Sequence, residues 1–176
     1  ELVEVDVGDM NAISALAAAV MGPEAATLHA GWLRDRPQDY GAQMRARCEI
    51  GFQFSGVDYL SALQLRPRIV EEFVARVFSR CDVLLAPTFN LRTPRIDETD
   101  VGAGQGFEAV ISGLSRCTRP FNYLTLPGLA LPTPEPVAGM PGSIQLVGRP
   151  FKEATLYRLA AAYEAETGFA SRKPAL

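Results

Sequence analysis

His29 is the only histidine in the chain, so a serine–histidine–carboxylate relay would have to run through it. It lies in a stretch predicted to be helical, and no Gly-x-Ser-x-Gly elbow occurs anywhere to present a nucleophilic serine. A lysine base is the other route to an activated serine, provided desolvation or a neighbouring charge lowers the lysine pKa. The two lysines do not suit it. Lys152 sits at the polar start of a terminal helix and Lys173 in the tail after Gly168, both expected to be solvated and protonated, and neither neighbours a Gly-Ser-Ser run. Gly102-Ala-Gly-Gln-Gly106 has the glycine content of a phosphate loop, but it follows no strand and lacks the final Gly-Lys, so it reads as a flexible loop. Cys48, Cys81 and Cys117 cannot all pair internally and lack CxxC spacing, which argues against a disulfide framework and against a zinc site. Reduced thiols in a cytoplasmic compartment fit them. No residue is therefore expected to be catalytic, and none to ligate a metal or hold a cofactor.

The elements that would position these residues follow from pattern and punctuation. With 48% hydrophobic residues among 176, the chain can bury one substantial core and is expected to form a single domain over 1–176. Arginine supplies 15 of the 17 cations, the net charge is -3, and no basic tract marks a nucleic-acid partner. No apolar run approaches the roughly 20 residues of a membrane-spanning helix. Glu1-Leu-Val-Glu-Val-Asp-Val7 reads as a strand with no turn or cap before it, a start internal to a longer chain. Asp9 can cap a helix that Gly22-Pro23 should break or kink, with a second helix running on to about Leu33. A short helix over 42–50 follows. Ser55 could then cap a longer helix with Pro67 inside it, through Tyr59, Leu63, Phe73 and Val77. Cys81-Asp-Val-Leu-Leu-Ala-Pro87 has the character of a strand buried on both faces. A long loop over 88–106 leads to a helix over 107–117, two strands at 129–133 and 143–147 joined as a hairpin, and an amphipathic helix over 151–167. Helix-to-strand alternation indicates an α/β fold.

Three stretches, in this order, resemble the amidase-signature family. They are Asp82-Val-Leu-Leu-Ala-Pro-Thr88, then Thr118-Arg-Pro-Phe-Asn122 with Leu126-Pro-Gly-Leu-Ala-Leu-Pro132, and then Gly139-Met-Pro-Gly-Ser-Ile-Gln-Leu-Val-Gly-Arg-Pro-Phe151 with Glu153-Ala-Thr-Leu156 beyond it. The resemblance implies a mixed β-sheet flanked by helices. It also implies hydrolysis or transfer of an amide through an acyl-enzyme on serine, activated by a lysine through a second serine, all in an N-terminal half that this chain lacks. The 176 residues would then be a C-terminal segment, inactive alone, whose partners are that missing half and a small-molecule amide substrate, with a homo-oligomer as a further assembly. A free-standing α/β module that binds a ligand or partner without catalysis is the alternative.

The same resemblance singles out Arg47. The segment Arg45-Ala-Arg-Cys-Glu-Ile-Gly51 is similar to one in glutamyl-tRNA amidotransferase A subunits, where an arginine recognises the α-carboxylate of the amide donor, and the glycine four residues on aligns Arg47 with it. A guanidinium suits that task because its planar fork holds a carboxylate through two parallel hydrogen bonds. The competing reading is a solvated arginine on a helix surface. Asn122 is expected to brace its loop through side-chain bonds to backbone. Tyr123 stands where the family pattern has an apolar residue, and Gly142-Ser143 where it has Val-Gly, departures that leave the substrate class open.

Overall fold

The computed structural model describes residues 1–171 except Gln105 and Ala138, so the expectation for Lys173 lies outside the described residues. Asp9 caps α1, Met10–Asp35, its carboxylate accepting from the amides of Asn11 and Ala12 at 3.0 Å each. Where the sequence predicts a break at Gly22-Pro23, α1 runs through as one helix. An internal proline costs about 3 kcal/mol. Burial of Val20, Gly22 and Ala26 on either side of Pro23 offsets that cost, because the surrounding packing holds both halves in line.

A turn at Pro37–Asp39 leads to α2, Ala42–Glu49, and a single 3-10 turn at Ile50–Gln53 follows. Ser55 then opens α3, Gly56–Phe78, through a reciprocal box with Asp58. Pro67 is accommodated within α3. Its missing amide leaves the Leu63 carbonyl without its helical donor. One residue earlier the Ala62 carbonyl accepts the Tyr123 hydroxyl at 2.6 Å. Thus the tyrosine in the place of an apolar residue is buried with its polar end satisfied.

The chain continues through β1, Val83–Pro87, the one-turn helix α4, Ile96–Thr99, helix α5, Phe107–Ser115, and the short α6, Arg119–Tyr123. Strands β2, Gly128–Pro132, and β3, Ser143–Gly148, form the expected hairpin, and α7, Glu153–Thr167, ends at Gly168, whose φ of +61° makes it a left-handed cap. The sheet order is β1-β3-β2, and both pairings are antiparallel, with Leu85 opposite Leu146 and Leu129 opposite Leu146.

Alternation along β3 sends its side chains into two cores. Val147 joins the larger, with Ile13, Ala17, Phe73, Val77, Phe78 and Phe121 from α1, α3 and α6 and Leu124 just after α6. Leu146 joins the smaller, with Leu131, Leu156 and Ala160 under α7. The α/β class therefore holds, with helices on both faces of the sheet. Two sequence expectations do not. The second face of β1 is covered only in part, because Val83 packs against the smaller core whereas Leu85, two residues on, is 49% exposed. Residues 1–7 are not a strand: among the described residues they have no ladder partner, and β1 bonds to β3 alone. Among the described residues no helix is long and apolar enough to cross a membrane.

Candidate functional site

Arg47 projects from the last turn of α2 with its side chain exposed. Its neighbour Arg45 takes the nearby acid, bonding Glu49 at 2.6 Å one helical turn on. Arg47 is left with no carboxylate among the described residues and lines a cavity of about 250 Å3. The opposite wall is α1, through Ala18, Met21, Gly22 and Ala25, and the remaining apolar surface comes from Met44, Cys48, Ile50 and Phe54.

A close backbone approach sets the shape of this cavity. A Cβ added to Gly51 would lie 2.0 Å from the Gly22 carbonyl oxygen and 2.7 Å from the Ala26 Cβ. Only a residue without a side chain lets the 3-10 turn meet α1 so closely. The glycine that marks Arg47 in the sequence is thus the residue that presses the end of α2 onto α1. Cys48, beneath Arg47, is 1% exposed. Burial pushes its thiol pKa up, and the Arg47 charge lowers it by less. It is a packed side chain rather than a nucleophile.

Sequence reasoning passed over Arg119. It starts α6, yet its side chain lines the same cavity as Arg47 and also a second, adjoining cavity of about 590 Å3 between α1 and α5. Its Nε is shielded from solvent and has no hydrogen-bond partner, and among the described residues no acid lines either cavity. The signal available in the sequence was the charge itself, one cation set between Thr118 and Pro120 in an otherwise uncharged motif.

The three family-like stretches are joined by Gln145, a polar residue buried in the core. Its Nε2 donates to the Pro87 carbonyl at 2.9 Å and to the Cys117 carbonyl at 2.6 Å. The first fixes the end of β1, the second the turn that delivers Arg119. Arg149, after β3, donates to the Phe78 carbonyl at the end of α3 and lies over the Phe78 ring. The cation also complements the negative end of that helix. Asn122 departs from expectation. Its side chain is exposed and makes no hydrogen bond among the described residues, whereas its backbone carbonyl accepts from Thr125 at 3.2 Å. The α6 turn thus closes through main chain alone.

The other sequence candidates stand apart from these cavities. His29 Nδ1 is 2.7 Å from the Tyr40 hydroxyl, and its ring meets Trp32 and Tyr40 edge-on, an aromatic clasp at the end of α1. Lys152 is exposed at the start of α7. The three cysteines are free, and among the described residues no three His, Cys, Asp or Glu side chains gather where a metal ion could sit.

An antiparallel sheet clasped between helices, with two guanidinium groups on an adjacent cavity and no acid beside them among the described residues, defines an α/β unit. The chain belongs to the amidase family, whose model matches residues 9–157. An amidase of Pseudomonas putida is 34% identical over the whole of this chain and 38% of its own length. The A subunit of a glutamyl-tRNA(Gln) amidotransferase from Myxococcus xanthus is 36% identical over 80% of this chain and 29% of its own. A crystal structure of an amidase superposes with a TM-score of 0.77 at 25% identity, covering 94% of this chain and 38% of that one. The chain therefore spans well under half the length of the relatives it matches.

Proposed function

We propose that this chain is the C-terminal segment of an amidase-type hydrolase acting on carboxamide C–N bonds. The serine nucleophile, its bridging serine and the activating lysine are supplied by polypeptide outside these 176 residues. The observation that carries this reading is coverage: the P. putida amidase matches the chain from end to end, yet the chain accounts for 38% of that relative's length. The placement of Lys152 supports it, because this lysine is exposed at the start of α7 and stands apart from both cavities. The segment contributes the β1-β3-β2 sheet and one cleft wall, with Arg47 facing the substrate. The three free thiols suit a reducing, cytoplasmic setting.

The chain alone is inactive. Ammonia release from glutamine and a panel of neutral amides is the measurement, made on the purified 176-residue protein and on a longer polypeptide containing it. Turnover is expected from the second only. Turnover by the short chain that survives repeated purification and follows the protein peak would overturn the reading.

A further inference from the structure

We infer that Gln145 is a positioning residue for the amide-cleaving reaction, holding the turn between α5 and α6 in place as a cleft wall. That turn is Arg116-Cys117-Thr118. It separates two spaces. Arg116 lines both the cavity of about 590 Å3 between α1 and α5 and a groove of about 770 Å3 beside β1, and Cys117 lines the groove. A shift of the turn therefore moves a wall of each. That the first space belongs to the substrate cleft is taken from the amide-hydrolase reading; the rest stands on geometry.

Among the described residues Gln145 is the only buried amide-bearing or charged side chain, in a strand whose neighbouring Ile144, Leu146 and Val147 are apolar. Packing alone would be served by leucine, without the cost of burying an amide. Both N–H groups of that amide are used, one on the Pro87 carbonyl at 2.9 Å and one on the Cys117 carbonyl at 2.6 Å. A single bond would let the side chain swing about it, whereas two bonds to separate segments fix its orientation. Pro87 already lies opposite Ile144 in the β1–β3 ladder, so the end of β1 is the anchored point. The bond to Cys117 then carries position from the sheet out to the turn. Within the turn, the Thr118 amide and hydroxyl donate to the Ser115 carbonyl at 3.1 and 3.4 Å, which closes it onto α5 and not onto the sheet. Gln145 lines neither space, so its effect on the reaction passes through the turn. Misplacing a positioning group by about 1 Å can cost about a hundredfold in rate.

Thiol alkylation reads the turn directly, because Cys117 lies in it, Cys81 lines the same groove, and Cys48 is 1% exposed in α2. In Gln145→Leu, peptide mass spectrometry should show Cys117 labelled about tenfold or more faster than in the unsubstituted chain. That rise should be independent of low urea, the mark of local release, and Cys81 should not share it. Cys48 labelling goes through global unfolding and should steepen with urea in both proteins. In the unsubstituted chain the Gln145 side-chain amide protons, followed by nuclear magnetic resonance, should exchange about tenfold or more slower than those of the exposed Gln53, so the answer does not depend on a variant folding. In the longer polypeptide, assayed well below its thermal midpoint, Gln145→Leu should lower kcat about tenfold or more and change KM less than about threefold. Gln145→Glu offers a donor only when its carboxyl is protonated, and burial against two carbonyls raises that pKa. Its kcat relative to the unsubstituted enzyme should therefore recover as pH falls from about 8 toward about 5, with no such recovery in Gln145→Leu. Cys117 labelling that follows Cys48 through urea, a Gln145 amide that exchanges as fast as that of Gln53, or an unchanged kcat in Gln145→Leu would each overturn the inference. Absence of turnover in the unsubstituted longer polypeptide would count against the hydrolase reading instead, and the thiol and exchange measurements would still decide the part played by Gln145.

Discussion

Gln145 links the sheet to the cavity with one side chain. Its amide donates to both the Pro87 and Cys117 carbonyls, and the second of these carbonyls immediately precedes the turn carrying Arg119. Gln145→Leu keeps the volume and removes the donor, so it should destabilise the chain by about 1–3 kcal/mol, read as a lower urea midpoint with an unchanged slope. Arg47 is exposed and needs a different readout. In a longer, active polypeptide Arg47→Ala should lower kcat/KM about tenfold for carboxylate-bearing amides such as glutamine and leave neutral amides nearly unaffected, because an exposed charge pair is worth less than a buried one. Equal losses on both substrate classes would make Arg47 structural. Arg47 could be found from a motif, since a glycine at fixed spacing marked it. Arg119 could not, because what distinguishes it is an unbonded Nε, and bonding is a property of three-dimensional neighbours rather than of spacing.

Helix starts were the most legible elements, because capping is local chemistry. Asp9 and Ser55 both bond the amides expected of them, and the Ser55 hydroxyl and amide donate to the Asp58 carboxylate at 2.7 and 2.9 Å. Those bonds, the hydroxyl first and the backbone amide second, hold the Asp58 carboxyl below the ordinary aspartate range. A depressed native pKa means stabilisation that is present above the unfolded value of about 3.9 and is lost as pH falls through the native one. Asp58→Asn should therefore lower stability at neutral pH and reduce the loss on acidification below about pH 4, followed by circular dichroism. The misread elements are those decided by tertiary packing. Pro23 looked like a helix end, but Gly22 meets Gly51 backbone to backbone and α1 continues. Gly51→Ala puts a methyl 2.0 Å from a main-chain oxygen that cannot rotate away. It should destabilise by about 2–3 kcal/mol, an overpacking effect visible as a lower thermal midpoint. An unchanged midpoint would mean that α1 and the 3-10 turn can separate freely, and with them the walls of the Arg47 cavity.

At the scale of the whole molecule, the sequence showed an apolar run at 81–87 and could not show how many of its faces are covered, because that depends on how far α7 extends across the sheet. The core beneath it takes in β2, β3 and only the Val83 end of β1. The free edge of β1 therefore carries unpaired backbone groups next to Leu85, which is 49% exposed, and a groove of about 770 Å3 runs between β1 and residues 1–9, where Leu2 is 87% exposed. A strand edge with apolar flanks is a template for further pairing. The purified chain should accordingly self-associate, with a light-scattering mass above 19.0 kDa that rises with concentration. Leu85→Lys tests the cause, since a charged side chain on this uncovered face opposes edge pairing while its long stem still reaches solvent. It should return the mass toward the monomer without altering the far-ultraviolet spectrum. If the parent chain runs as a monodisperse monomer with a sharp cooperative melt, the exposed edge is stable by itself and a free-standing binding module becomes the better account. If self-association persists in Leu85→Lys, the contact lies elsewhere, and residues 1–7 with Leu2 are the next surface to charge.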